Sequence, residues 1–379
     1  RTVVVVDEAA MVGTRQIAVL LDAAAAARAK VVLVGDPRQL SAIEAGGLLN
    51  GLARRLPVVT LEENRRQREA WERTALTRLR AGDVDEALNL YDSHGRIVTA
   101  PTAIDLRNRI AADWHAATLA GDSVVMLAER RHDVDDLNHR ARQRLAATGA
   151  LSGAGLEVDG RTFQAGDRVL CLRNNRRLGV HNGTLATVAD VDLEHRAITI
   201  RTDVGAQHEL PARYLDAGHL THGYAMTIHK SQGLTVDRSL TLATDTLDHN
   251  AGYTALSRGR AENRVYFHGK LPDPEAHHIA SQSLDPRESV ATALSRNRDD
   301  RLAIDHIDRR AVREELRRLH RERAPLLEVL RAMPPDRRTE IAALEEQRNE
   351  LVARVAHHRE CVDGIRPGGL HRRERLAER

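Results

Sequence analysis

The sequence predicts an α/β fold: two parallel-sheet domains, the first incomplete, a small β-barrel inserted in the second, and a charged helical C-terminal region. Three observations predict it. Val3-Val4-Val5-Val6 runs without alternation into Asp7-Glu8, and Val31-Val32-Leu33-Val34 runs likewise into Gly35-Asp36-Pro37-Arg38-Gln39. Such short β-branched runs read as strands buried on both faces of a parallel sheet, delivering polar residues at their carboxyl ends. Strand-like and helix-like segments then alternate from 58 to 152 and resume after 216, as in a second α/β sheet. Between them the texture changes to short strands.

The elements follow in order. Thr14 to Arg28 is alanine-rich and helical, and Gly46 to Arg55 forms a second helix. Val58-Val59-Thr60-Leu61 reads as a further short buried strand. Residues 67–92 are helical with Gly82 interrupting. Ile97-Val98-Thr99 and Ser123 to Leu127 read as strands, alternating with helices at 102–119 and 133–147. Arg168 to Leu172, Leu185 to Val188 and Ala197 to Ile200 are short runs, and Asn182-Gly183 is a hairpin signal between two of them. The expected division is 1–57 for the first domain, 58–152 with 216–272 for the second, 153–215 for the inserted barrel, and 286–379 for the charged helical region. There Leu316, Leu319, Leu326, Leu327 and Leu330 share one stripe, and Ile341, Leu344, Leu351 and Val355 another. Pro334-Pro335 breaks the helix between them, which predicts a helical hairpin.

Composition excludes some classes. No apolar stretch is long enough to span a bilayer. Cys171 and Cys361 form neither a disulfide framework nor a zinc spacing, so a reducing cytoplasm is expected and no membrane partner is implied. The net charge of +3 over 379 residues is too small to argue for a partner. The chain opens on Arg1, inside the first sheet. No G-x-x-x-x-G-K-[ST] segment occurs, since none of Lys30, Lys230 and Lys270 follows Gly and precedes Ser or Thr. A truncated piece of a larger nucleotide-driven enzyme is therefore expected.

Five segments carry candidate chemistry. Asp7-Glu8 at a strand end suits a Mg²⁺-nucleotide site, one acid for the metal and one for the attacking water. Read alone, it is commonly a helix N-terminal charge pair. In G-D-P-R-Q-L, Gly35 allows a tight turn and Gln39 carries an amide that can sense a terminal phosphate, whereas Asp36 could simply cap the turn. Glu63-Asn64-Arg65-Arg66-Gln67 offers two guanidiniums suited to phosphate, or a solvated helix start. Thr227, His229, Lys230, Ser231 and Gln232, followed by Gly233, concentrate donors able to grip a phosphate backbone. Tyr253 to Arg260 places Arg258 before the strand Arg264 to Phe267, as an arginine finger or as an ordinary basic turn.

Taken together, D-E-A-A-M, G-D-P-R-Q-L, the Arg65-Arg66 segment, A-M-T-I-H-K-S-Q-G and Y-T-A-L-S-R-G-R resemble motifs II to VI of superfamily 1 DNA helicases. The branch most resembled contains the exonuclease V alpha subunit and the helicase part of conjugative-transfer relaxases. The resemblance covers roughly residues 1–270 and implies two RecA-like P-loop NTPase-type domains, with an SH3-like barrel as the insertion. It implies ATP and Mg²⁺ as cofactors and 5′→3′ movement on single-stranded DNA. Residue by residue, it assigns Asp7 to Mg²⁺, Glu8 to activating water, Gln39 to sensing the γ-phosphate, and Arg66 and Arg258 to contacting it. Asp36 and Gly233 border the nucleotide. Thr227, His229, Lys230, Ser231 and Gln232 lie along the DNA or couple it to the nucleotide. The sequence departs from the pattern at motif I, which is absent. Conjugative-transfer proteins are implied as partners. Two other readings stay open: an ATPase-dead single-strand-binding remnant, and a helicase subunit of a repair exonuclease.

Overall fold

The computed structural model describes residues 2–42, 47–61, 63–267 and 286–296, with scattered helical positions between 314 and 354. Of the expected C-terminal hairpin, both the Pro334-Pro335 break and most of its two stripes lie outside the described residues. The chain divides into two compact units. One holds residues 1–37 and 41–58, the other 38–40 and 59–298.

In the first unit β1 (Val3–Val6) lies parallel to β2 (Lys30–Leu33), in register Val3 to Lys30 through Val6 to Leu33. The connection is α1 (Thr14–Ala26), and α2 (Leu48–Ala53) follows β2. The expectation that these strands are buried on both faces is not met. Val3 is 55% and Val5 62% exposed, because this sheet has two strands among the described residues and one face has no cover. The strand expected at Val58 to Leu61 is also absent. That stretch has no ladder partner, and Val59 is 91% and Leu61 87% exposed. A β-branched run becomes a strand only where another strand satisfies its backbone.

The second unit begins with α3 (Ala70–Ala81) and α4 (Val84–Ser93), separated at Gly82, whose φ of +96° closes the first helix in the left-handed region. Then come β3 (Ile97–Thr99), α5 (Ala103–Leu119), β4 (Val124–Ala128) and α6 (Arg131–Ala147). Thr102 caps α5 by accepting the Asp105 amide and donating to its carboxylate. An antiparallel module is inserted next. It comprises β5 (Ser152–Val158), β6 (Arg161–Ala165), β7 (Arg168–Cys171), β8 (Leu185–Asp192), β9 (Ala197–Thr202), β10 (Gln207–Leu210), the short α7 (Ala212–Leu215) and β11 (Leu220–His222). Five of its strands form one sheet in the order β10-β9-β8-β7-β11, and β5 pairs with β6 in a hairpin. Phe163, Val169, Val188, Ile198 and Ile200 fill its own core.

The chain returns to the parallel sheet through β12 (Ala225–Thr227), β13 (Val236–Leu242), α8 (His249–Leu256) and β14 (Gly259–Phe267). A last described helix is α9 (Pro286–Leu294). The sheet order is β12-β4-β13-β14-β3, every pair parallel. Its sides separate cleanly along β4. Val125 and Leu127 join Leu76, Leu79, Leu88 and Leu256 on the side of α3, α4 and α8. Met126 and Ala128 join Leu106, Ile110, Trp114 and Leu137 on the side of α5 and α6. Strand alternation thus gives each face its own apolar core. All carboxyl ends of this sheet lie at one edge, where open α/β sheets place their ligand-binding loops. No helix among the described residues is long and apolar enough to cross a membrane.

Candidate functional site

In the first unit, Asp7 and Glu8 leave the carboxyl end of β1. Glu8 adopts φ 49°, ψ 41°, a left-handed conformation that costs a residue with a Cβ stability. Two bonds hold it there: its amide donates to Asp7 Oδ1 at 2.9 Å, and its carbonyl accepts the Met11 amide at 2.9 Å. The neighbouring Ala9 amide bonds to the Val34 carbonyl at 2.8 Å, tying this turn to the exit of β2. Gly35 leaves room there, since a Cβ would crowd the Ala9 nitrogen at 3.1 Å and Leu49 at 3.0 Å. Asp36 follows it and is half-buried. Asp7 is exposed. Its carboxylate at a strand end fits a Mg²⁺ ion, which usually takes one or two protein carboxylates and fills its remaining positions with waters and phosphate oxygens.

In the second unit, Arg258 is 1% exposed. Its Nε donates to the Thr254 carbonyl at 2.8 Å, and Nη2 donates to Ser257 Oγ at 2.7 Å and to Gln39 Oε1 at 3.1 Å. Thr254 also receives the Leu40 amide on its Oγ1 at 3.2 Å. Arg66 donates to the Ser257 carbonyl at 2.8 Å. Gln67 donates to the same carbonyl and to that of Gly259, at 3.2 and 2.9 Å. Gln39, Arg66 and Arg258 therefore converge on one turn after α8. That turn is rigid. A Cβ on Gly259 would sit 2.1 Å from the Glu262 carbonyl oxygen, and Asn263 Oδ1 accepts the Gly259 amide at 2.7 Å. Gln67, Thr254 and Asn263 were not singled out from sequence. The first two lie inside motif strings, but nothing local marks Asn263, which is positioned by the buried Glu72 at 2.9 Å.

The third cluster leaves the carboxyl end of β12. Thr227 Oγ1 accepts the Lys230 amide at 3.4 Å and caps a 3-10 turn, Ile228–Ser231. Lys230 is exposed, and Thr227, His229 and Gln232 are half-buried. Ser231 is fully buried and donates its hydroxyl to the Ile228 carbonyl at 2.7 Å, so it shapes the turn. Gly233 is exposed with φ +80° and lets the chain reverse. Burial pushes His229 below the ordinary imidazole value, against the pull of Asp248. Lys230, although exposed as a residue, is also lowered, first by partial desolvation of its amine and then by Arg131. Arg131, which the sequence reading passed over, opens α6 beside this turn because β4 and β12 end together, Ala128 opposite Thr227.

Tyr224, just before β12, and Phe163, in the inserted module, are core residues and closed to stacking on bases. Phe163 has no exposed surface, and Tyr224 is 2% exposed with its hydroxyl donated to Asp167. Asp167 is itself fully buried and also accepts the Gln164 amide at 2.7 Å.

Residues 1–102 match a family model described as an AAA domain. Over 340 residues the chain is 35% identical to the conjugal transfer protein TraA of Agrobacterium fabrum, covering 89% of this chain and 30% of TraA. Over 288 residues it is 30% identical to RecBCD enzyme subunit RecD of Mycolicibacterium smegmatis, covering 69% of this chain and 49% of that subunit. A Bacteroides Pif1 helicase solved with ADP-AlF3 and single-stranded DNA aligns over 69% of each chain, with a TM-score of 0.46 and 19% identity. The chain is thus a homologue of the RecD subunits and, over most of its length, of the TraA conjugal transfer proteins. It spans about a third of the length of those TraA proteins.

Proposed function

We propose that this chain is the motor part of an ATP-dependent DNA helicase that moves 5′→3′ along single-stranded DNA, within a protein of conjugative transfer. One observation carries the reading most: Gln39 and Arg258, from two motif strings far apart in sequence, meet in a hydrogen bond at the end of a parallel sheet. An amide paired with a buried guanidinium suits a sensor of a terminal phosphate and its transition-state charge. When bound, Mg²⁺-ATP supplies the free energy of the cycle. Asp7 offers its carboxylate to the metal, and Glu8, held in its strained turn, accepts a proton from the attacking water. Arg66 and Arg258 present cationic donors to the phosphates. Thr227, His229, Lys230 and Gln232 follow the DNA backbone, with Ser231 holding their turn, and the inserted module, by resemblance SH3-like, helps to hold the strand.

The test has two arms. On the chain of 379 residues, a labelled oligo-dT should bind with an affinity that falls steeply with salt and weakens in Lys230→Ala. DNA-stimulated ATP hydrolysis should be at background, because phosphate-loop amides and lysine supply most contacts to the β- and γ-phosphates. In a protein that also carries a phosphate loop, turnover should appear and be abolished by Glu8→Gln. Salt-independent binding, or turnover indifferent to Glu8, would overturn the proposal. A second reading, an ATPase-dead single-strand-binding remnant, is favoured by the absence of a G-K-[ST] segment from these residues. Finding that segment in the genomic DNA upstream of Arg1 decides against it.

A further inference from the structure

The loop joining β7 to β8, Leu172-Arg173-Asn174-Asn175-Arg176-Arg177-Leu178-Gly179-Val180-His181-Asn182-Gly183-Thr184, contains no acidic residue. Arg173, Arg176 and Arg177 are all exposed, and among the described residues none of them faces a carboxylate. Several other arginines of this unit are paired. Arg107, Arg140, Arg168, Arg196, Arg238 and Arg260 each pair with an aspartate. Three arginines together on one loop, with no carboxylate facing them among the described residues, present a local positive field.

The loop is also built to hold its shape. Asn175 Oδ1 accepts the amides of Arg177 and Leu178 at 3.1 and 3.3 Å, so the turn bearing Arg176 and Arg177 is closed by a side chain. Asn175 and Val180 exchange backbone bonds at 2.8 and 3.2 Å, and Val180 is completely buried. Asn174 Oδ1 accepts the Asn182 amide at 2.7 Å. Gly179, at φ +70°, lies so close over the His208 ring that a Cβ would meet it at 2.8 Å. Tyr214 donates to the Arg173 carbonyl at 2.9 Å. A loop whose backbone is already ordered loses less freedom on binding, which favours contact with a polyanion. No Phe, Trp or Tyr lies on the loop, so phosphates are the chemistry its guanidiniums match best.

We propose that this loop is a second DNA contact, separate from the Thr227 to Gln232 turn, and that Arg173, Arg176 and Arg177 bind the sugar–phosphate backbone without reading sequence. The separation follows from the ladder. β7 pairs with β11 from Cys171–Leu220 to Val169–His222, so the loop leaves the Cys171 end while the chain leaves the His222 end towards β12. The proposal rests on the DNA-binding reading above and locates the part of the module that acts in it.

The test uses the chain of 379 residues with a fluorescein-labelled oligo-dT and a blunt duplex of the same length, titrated between about 50 and 200 mM salt. Wild type is compared with the triple variant Arg173→Gln/Arg176→Gln/Arg177→Gln, with the triple Lys variant at the same positions, and with Lys230→Ala. Each lost phosphate contact should reduce the log–log salt slope by about 0.7 on a single strand and 0.9 on a duplex. The Gln variant should therefore lose about tenfold or more in affinity at the lower salt, and the slope should drop by about 2 if the loop holds the single strand or by about 3 if it holds the duplex. The Lys variant should keep most of both. A loss on oligo-dT identifies the loop as part of the single-strand path, and a loss confined to the duplex places it on the flanking duplex. If the Gln variant matches wild type on both DNAs while Lys230→Ala still weakens oligo-dT, this inference fails and the DNA-binding reading survives. If wild type binds neither DNA, both fail.

Discussion

The Arg258 guanidinium donates to the side-chain oxygen of Gln39 at 3.1 Å, across 219 positions of sequence. Thr254 tightens the same junction from both sides, its carbonyl accepting Arg258 Nε and its hydroxyl oxygen accepting the Leu40 amide. Leu40 sits in the core that includes Leu256, and Arg258 cannot turn away without breaking its buried bonds to Thr254 and Ser257. The pair is therefore a single device, and its members should act together.

In an intact helicase that carries a phosphate loop, Arg258→Ala should lower ATP turnover by about 10³ or more, as loss of an arginine finger does. Gln39→Ala should cost less. The double variant should be little worse than Arg258→Ala alone, giving a coupling of about 1 kcal/mol or more in a double-mutant cycle. Strict additivity in the measured turnover would show that the contact has no part in catalysis.

Gly259→Ala should destabilise the second unit by about 1–3 kcal/mol, as overpacking does, because the added Cβ would meet the Glu262 carbonyl and Asn263 Oδ1. Urea unfolding followed by circular dichroism measures this. A midpoint equal to wild type would mean that the turn relaxes freely.

Asp237 ties the start of β13 to β4 and β14. It accepts Arg260 Nε at 2.7 Å, Ser123 Oγ at 2.7 Å and the Ser123 amide at 3.0 Å. The Arg260 guanidinium first, then Ser123, hold its carboxyl well below the usual Asp range. The native state therefore binds fewer protons there than the unfolded chain, so the stabilisation is complete above the ordinary Asp value of about 3.9 and is lost as pH falls below it. Asp237→Asn should lower the melting temperature at pH 7 and at pH 5 by similar amounts, and by less at pH 3. A deficit that grows on acidification would reverse the assigned sign.

Tyr224→Phe should cost stability and leave DNA affinity unchanged. The variant removes the hydroxyl that donates to buried Asp167, and a hydrogen bond to a charged group contributes about 1.5–3 kcal/mol. Since the ring is sealed in the core against Trp114, with centroids 5.2 Å apart, oligo-dT should bind within about twofold of wild type. A larger loss, measured by anisotropy on folded protein, would place Tyr224 on the DNA path.

What the sequence determined by itself is local. Runs such as Ser123 to Leu127 announce strands, and Gly82 and Thr102 mark helix boundaries, because these choices depend on the conformational preference of a few adjacent residues. The motif strings name Asp7, Glu8, Gln39, Arg66, Lys230 and Arg258 for the same reason: each is a short run of chemistry-bearing residues. Only the tertiary structure decided which of these meet and which apolar or hydroxyl groups are hidden. Ser231 and Tyr224 carry the same functional groups as exposed donors and stacking rings, yet both are buried, while Val59 and Leu61, apolar by composition, are exposed. Asn263, which no motif marks, holds the Gly259 turn. Burial and long-range bonding are fixed by which strands pair and which helices cover them, and that information is spread over residues hundreds of positions apart, where neither periodicity nor spacing reaches.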